Sequence, residues 1–332
     1  HRSEFDGRHS LQTATESTDC RSRSAHNDHI THSRSLLELI SNAELIMFHD
    51  ETPLTAFQIR NAGLRLTGCS LSQEAGTVNG ETMCLILFSY RQRRDYPLVF
   101  AANRDEFYER PTAALNFWPD RPDVLAGRDL KGRGTWLGLH RSGRMAAITN
   151  YRDPAVHRNG APSRGLVVRE FLTGDIPAET YLAAVSLTGD RYNGFNLLLG
   201  DATGLWYYSN RGYDAVKLSP GLYGLSNHLL DTDWPKVKKG KAALKERIEN
   251  DRDLDVERLF KVLSDRTPAP RRQLPDTGVG QEWERILSPL FITSATYGTR
   301  SSSVILLTAS GMLTFWERSY RSVNGIETAA DT

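Results

Sequence analysis

Three cysteines in 332 residues leave little scope for covalent or metal staples. Cys20, Cys69 and Cys84 are odd in number and scattered, and no Cys-x-x-Cys pair is present. A disulfide framework and a metal site are therefore not expected, and a reducing, cytoplasmic compartment is the default. Neither charge is in excess: 41 basic against 40 acidic side chains leave a net charge of +1. Nucleic acids and membrane surfaces present phosphates, which a dedicated binder meets with a basic excess, so neither is expected as a partner. No apolar run approaches the roughly 20 residues that cross a bilayer. The length suffices to bury a sizeable core without staples.

Further absences are local. Residues 1–83 contain no Lys, Trp or Tyr, yet hold six of the nine histidines. Residues 1–35 are polar and aperiodic, and such a segment cannot bury enough apolar area to offset chain entropy. SLLELISNAELIMF (35–48) has helical spacing, but Glu38 and Glu44 interrupt it, and its apolar core is too short for a secretory signal. Two readings stand for residues 1–82. Either they are translated from upstream of a true start at Met83, or they form a genuine disordered extension with one short helix. His26, His29 and His32 read as part of a solvated tail.

From Met83 onward the pattern is regular. CLILFSY (84–90) and YPLVFAAN (96–103) read as strands joined by a charged turn. TWLGLH (135–140) and RMAAITNY (144–151), GFNLLLGD (194–201) and GLWYYSN (204–210), and VILLTA (304–309) and MLTFWERS (312–319) repeat the arrangement around turns carrying glycine. Successive hairpins specify antiparallel pairing. Helices are predicted between them at 163–174, 176–187, 231–250 and 255–265, with Asp233 before Trp234-Pro235 as a start signal. The stretch 267–280 is a Pro/Gly-rich flexible loop. Two sheets with helices packed outside, in one domain over 83–320 followed by a flexible tail at 321–332, is the economical architecture.

Cys84 directly follows Met83. If Met83 is an initiator that is removed, Cys84 acquires a free α-amine, which titrates at about 7.7–8.0 and serves as a base near neutral pH. One residue then supplies both nucleophile and base, whereas the ordinary reading is a buried structural cysteine. Asn103-Arg104-Asp105-Glu106 ends the second predicted strand, and hairpin pairing brings that end near Cys84. An Asp there is suited to hold an α-ammonium, although charged strand ends are often only solvated. Asn150 and Asn227 also end apolar strands, where Asn amides form an oxyanion hole if they converge, or simply make turns.

Eight blocks in order carry a resemblance. Met83-Cys84, AANRDEF (101–107), GTWLGL (134–139), TNY (149–151), YNGFNLL (192–198), GLYGLSN (221–227), YGTR (297–300) and FWERS (315–319) resemble the NRDE family, also called the transport and Golgi organisation 2 family. That family is similar to the N-terminal-nucleophile hydrolases of the choloylglycine and penicillin V amidase branch. The resemblance implies an α+β, four-layer αββα sandwich of two antiparallel sheets. It implies Cys84 as nucleophile, Asp105 as holder of the α-amine, Asn150 and Asn227 at the oxyanion and amine, and Arg300 as a late active-site arginine. Asn103 and Arg104 fall at the substrate, with Arg104 departing from the amidase pattern, in which the arginine precedes the asparagine. The implied activity is hydrolysis of the amide bond of a small acylated substrate, with no cofactor. The alternative is a carrier or chaperone for haem or an acyl lipid, with Cys84, His140, His157 or His228 as iron ligands. A third reading is an interaction module that keeps the fold without catalysis.

Overall fold

The computed structural model describes residues 83–320 except Tyr213, together with the backbone of 321–323, of 326–330 and of Leu45–Ile46. Two seven-stranded sheets form. The first runs β1 (Leu45–Ile46), β13 (Leu313–Val323), β12 (Tyr297–Leu307), β3 (Leu98–Phe107), β2 (Met83–Tyr90) and β11 (Gly221–Leu225), with β14 (Ile326–Ala330) also on β13. The second runs β10 (Val216–Lys217), β9 (Gly204–Ser209), β8 (Phe195–Asp201), β7 (Met145–Asn150), β6 (Leu137–His140), β5 (Arg121–Asp129) and β4 (Thr112–Trp118). All pairs are antiparallel except β1 with β13.

The four predicted hairpins are β2–β3, β6–β7, β8–β9 and β12–β13. A fifth, β4–β5, was not expected from the sequence, because its edge strand is half exposed and its partner starts on Arg121-Pro122-Asp123, which reads as a turn. The predicted helices are α1 (Gly165–Thr173), α2 (Ala178–Ser186), α3 (Pro235–Asn250) and α4 (Val256–Leu263), and a short α5 (Gln281–Ile286) joins them. The 35–48 helix lies outside the described residues except at Leu45–Ile46, where the backbone is strand, paired with Leu313–Thr314. The stretch 267–280 contains a 3-10 turn at Arg271–Gln273 and is tied down by Thr277, whose amide and hydroxyl donate to Glu284 at 3.0 and 2.6 Å.

Alternation along the strands builds the layers, since successive side chains point to opposite faces. Leu85, Leu87, Val99 and Ala101 pack against Val237, Leu244, Leu259 and Leu263 of α3 and α4. Ile86, Phe88, Phe100 and Ala102 face the other sheet and meet Leu125, Leu139, Met145 and Leu198. The far face of the second sheet, with Ala146, Leu197 and Leu199, carries Val168, Phe171 and Leu182 of α1 and α2. The order is helix, sheet, sheet, helix. Because both faces of each central strand are covered, they read as continuous apolar runs; β2 is buried at every residue.

Candidate functional site

Strand β3 does not stop at Asn103. It continues through Asn103-Arg104-Asp105-Glu106 to Phe107, because β12 pairs with it along that length. The four polar residues therefore alternate between two faces. Arg104 and Glu106 point between the sheets with Cys84, whose register partner is Arg104. Asn103 and Asp105 point into the helix layer, and Asp105 lies opposite Met83.

Between the sheets Cys84 lines a cavity of about 440 Å³ that also takes in Trp136, Asn150 and Arg300. Its wall carries Arg104, Arg110, Arg128, Lys131, Arg164 and Arg300 against Glu106, Asp129 and Glu317. Glu106 accepts from Arg104 at 3.4 Å and forms an ion pair with Arg110 at 3.3 Å. Burial raises its pKa while these two cations oppose the rise. The Cys84 thiol is pushed up to about 12 by burial and then by the Asp105 charge, against the opposing pull of Arg104. With Met83 attached, burial therefore keeps this thiol protonated at neutral pH.

Behind Cys84 lies a second, buried charge cluster. Asp105 accepts from the Thr299 hydroxyl at 2.6 Å through Oδ1, while Oδ2 has no hydrogen-bond partner. Burial lifts this carboxyl to about 6, opposed by Lys236, Thr299 and Arg104. Lys236 is pushed down to about 8 by burial, with Asp105 pulling the other way. The Met83 amide donates to the Tyr297 hydroxyl at 2.6 Å, and Arg152 Nη2 reaches the Met83 sulfur at 2.8 Å. Arg152 Nη1 pairs with Glu284 at 2.6 Å, both side chains buried.

The asparagines close the same end of the molecule. Asn150 is the last residue of β7 and lines the cavity. Asn227 Nδ2 donates to the Asn150 carbonyl at 2.9 Å, and the neighbouring Ser226 hydroxyl donates to the Cys84 carbonyl at 2.9 Å. These bonds lock the two sheets together beside Cys84. Arg300 sits at a register shift between Thr299 and Ser301, a bulge that turns its side chain out of alternation. From there Nη1 donates to the carbonyls of Phe107, Tyr108 and Arg110 at 2.9–3.2 Å.

Cys84, Arg104, Asn150 and Arg300 thus share one cavity, with Asp105 and Asn227 immediately behind it. Asn103, expected at the substrate, is elsewhere. Its Nδ2 donates to the Leu263 and Leu290 carbonyls at 2.9 and 2.8 Å, and its Oδ1 accepts from Ser302 at 2.6 Å. It fastens β3 to the helix layer, because the pleat places it one face away from Arg104. His140, His157 and His228 do not line the cavity, and both ring nitrogens of His228 are engaged, by Tyr151 and Thr232. Of the iron ligands named for the haem alternative, Cys84 lines the cavity and the three histidines do not. Lys236, Arg152, Glu284 and Ser226 were not singled out in the sequence. Lys236 is one of four lysines between 236 and 241 and carries no distinguishing signal.

The family described as Transport and Golgi organisation 2 matches residues 83–322. The Transport and Golgi organization protein 2 homolog of Bos taurus is 42% identical over 261 residues, spanning 71% of this chain and 93% of its own. The homolog of Homo sapiens is 40% identical over 257 residues, with the same shares. In those relatives the matched region is nearly the whole protein. A solved structure, the Caenorhabditis elegans N-acylethanolamine-hydrolyzing acid amidase ortholog, aligns at 12% identity and a TM-score of 0.35 over 68% of this chain and 93% of that one. A likeness at that score adds nothing to the layer order described above. Among the described residues no helix is long and apolar enough to cross a membrane.

Proposed function

The chain belongs to the Transport and Golgi organisation 2 family, and from that premise we propose that it is a cysteine amidohydrolase in which Cys84, once N-terminal, attacks the carbonyl of a small acylated substrate. One observation carries the reading: Asp105 lies across the ladder from Met83 with a buried carboxylate oxygen that has no partner. A carboxylate so placed is suited to position the α-amine that removal of Met83 frees, and to hold it once it takes up the thiol proton.

In the proposed route the α-amine takes the thiol proton and sulfur attacks the amide carbonyl. Asn150 and backbone amides stabilise the oxyanion, and Asn227 holds Asn150 through its carbonyl. The α-ammonium protonates the leaving amine, leaving a thioester on Cys84. Water, deprotonated by the same amine, then hydrolyses the thioester. Arg104 and Arg300 supply positive charge at the cavity wall. The route calls for no metal or organic cofactor.

The test compares the full chain with the domain begun at Met83 and processed to Cys84, using an activated amide. The processed form is expected to show an acyl-enzyme burst by intact mass, and the full chain to show none. Cys84→Ala should abolish turnover, with Cys84→Ser leaving at most a slow remnant. Equal turnover with and without the extension would sink the mechanism. A second reading, carriage of an acyl or haem cargo in the same cavity, is favoured by the burial that keeps the Cys84 thiol protonated and so unreactive while Met83 is attached. Retention of labelled fatty acyl amide without cleavage by the processed form would favour it.

A further inference from the structure

The cluster behind Cys84 contains a cation that the reaction above does not use. Lys236 lies in the first turn of α3, buried, its ammonium without a hydrogen-bond partner. Its neighbours Lys238 and Lys239 behave as helix lysines ordinarily do, exposed and paired with Asp233 and Asp265. Turning Lys236 inward costs desolvation, which a buried charge requires a partner to offset. The partner is Asp105, the largest influence favouring the charge of Lys236, as Lys236 is for Asp105. Yet no hydrogen bond joins them: Lys236 Nζ and Asp105 Oδ2 are both unpartnered.

The carboxylate and the ammonium are therefore held within each other's field but apart, next to the Met83–Cys84 peptide that Asp105 faces across the ladder. The other charges around them are accounted for. Arg152, from the segment after β7, is neutralised by Glu284 of α5 at 2.6 Å. Arg104 of β3 acts from the opposite face, paired with Glu106. Tyr297 of β12 offers a hydroxyl, already bonded to the Met83 amide.

We infer that Lys236 is a positioning residue that holds Asp105 ionised and keeps the α-amine of Cys84 unprotonated near neutral pH. The inference rests on the amidohydrolase reading above. An amine alone beside a buried carboxylate gains an ion pair, so its proton is held more tightly and the base is locked as ammonium. A second ammonium in the same field satisfies the carboxylate and repels a further positive charge. The α-amine then stays neutral until the thiol proton arrives: the S–H bond breaks, an N–H bond forms, and the resulting ammonium is acidic enough to pass its proton to the leaving amine.

Beyond Met83 the chain has a single cysteine, so [13C]cysteine labelling of the processed domain gives one residue whose carbon shifts report the α-amine titration directly. The natural domain should titrate below the ordinary α-amine range of about 7.7–8.0. Lys236→Met should raise the midpoint by at least one pH unit, so that turnover of an activated amide at pH 7 falls about three- to eightfold or more and recovers at higher pH. Lys236→Arg should restore both. A natural midpoint at or above the ordinary range overturns the inference even if Lys236→Met does not fold. So does an unchanged midpoint in a folded Lys236→Met, or a loss of turnover equal at every pH. If the midpoints move as expected while no variant cleaves any amide, the amidohydrolase reading fails and the hold of Lys236 on the amine stands.

Discussion

A thiol pushed up to about 12 is a poor nucleophile at neutral pH, and Cys84 carries such a thiol while Met83 is attached. At pH 8 about one molecule in ten thousand is then thiolate, since each pH unit is a factor of ten. Iodoacetamide at that pH should label Cys84 in the full chain on the order of 1,000-fold more slowly than in the denatured chain, whose thiol is back at its ordinary value of 9.0, as read by peptide mass. Freeing the α-amine should bring the rate up; identical rates before and after removal of Met83 would contradict the role given to the amine. Asp105 offers a second measurement. Its folded value is about 6 against an ordinary 3.8, so the folded chain holds this proton more tightly than the unfolded chain does. Its contribution to stability is full below the ordinary value and is lost as pH rises through about 6. Relative to the natural chain, Asp105→Asn should gain stability between pH 4 and pH 7, by on the order of 1–3 kcal/mol. Urea midpoints at the two pH values check this, and a difference that does not move with pH would refute it.

Where α1 meets the segment leading into β6, backbone touches backbone. A Cβ on Gly134 would stand 2.3 Å from the carbonyl carbon and oxygen of Gly165, the first residue of α1. Thr135, Gly165 and the adjacent Arg164 line the cavity, so this approach sets one of its walls. Gly134→Ala must separate the two segments and should cost about 1–3 kcal/mol in chemical denaturation, with a change in KM for any cleaved amide. On the opposite layer, α4 buries Leu259, Phe260 and Leu263 on one face and starts on Asp255, whose side chain accepts from the Glu257 amide at 2.9 Å. Asp255→Ala should remove about 1 kcal/mol of stability and leave the cavity chemistry untouched.

The sandwich closes on itself. Among the described residues, apart from the two-residue pairing of Leu45–Ile46 with Leu313–Thr314, every ladder lies within residues 83–330. The three principal apolar clusters are likewise built from residues of that span. Deleting residues 1–82 should accordingly leave the thermal midpoint within a few degrees, since a shift of about 4 °C corresponds to roughly 1 kcal/mol in a domain of this size. A fall beyond about 10 °C in calorimetry would show that the removed segment contributes to the core.

The hairpins and the four longer helices could be read in the chain, because turn chemistry and the periods of 2 and 3.6 are local properties. The motif blocks likewise pointed to Cys84, Asp105, Asn150, Asn227 and Arg300, though not to how they are arranged. Asn103-Arg104-Asp105-Glu106 looked like a charged strand end, since nothing nearby in sequence pairs with it. Pairing with β12, almost 200 residues away, carries the strand through those four residues and sends Asn103 and Asp105 to one face, Arg104 and Glu106 to the other. Lys236 is indistinguishable from Lys238 and Lys239 by composition or neighbours. It differs only because α3 lies on the sheet with Val237 and Leu244 inward, which carries Lys236 into the layer that holds Asp105. Local periodicity tells a segment what it becomes; which of its faces is covered, and which buried charges then meet, follows from long-range packing.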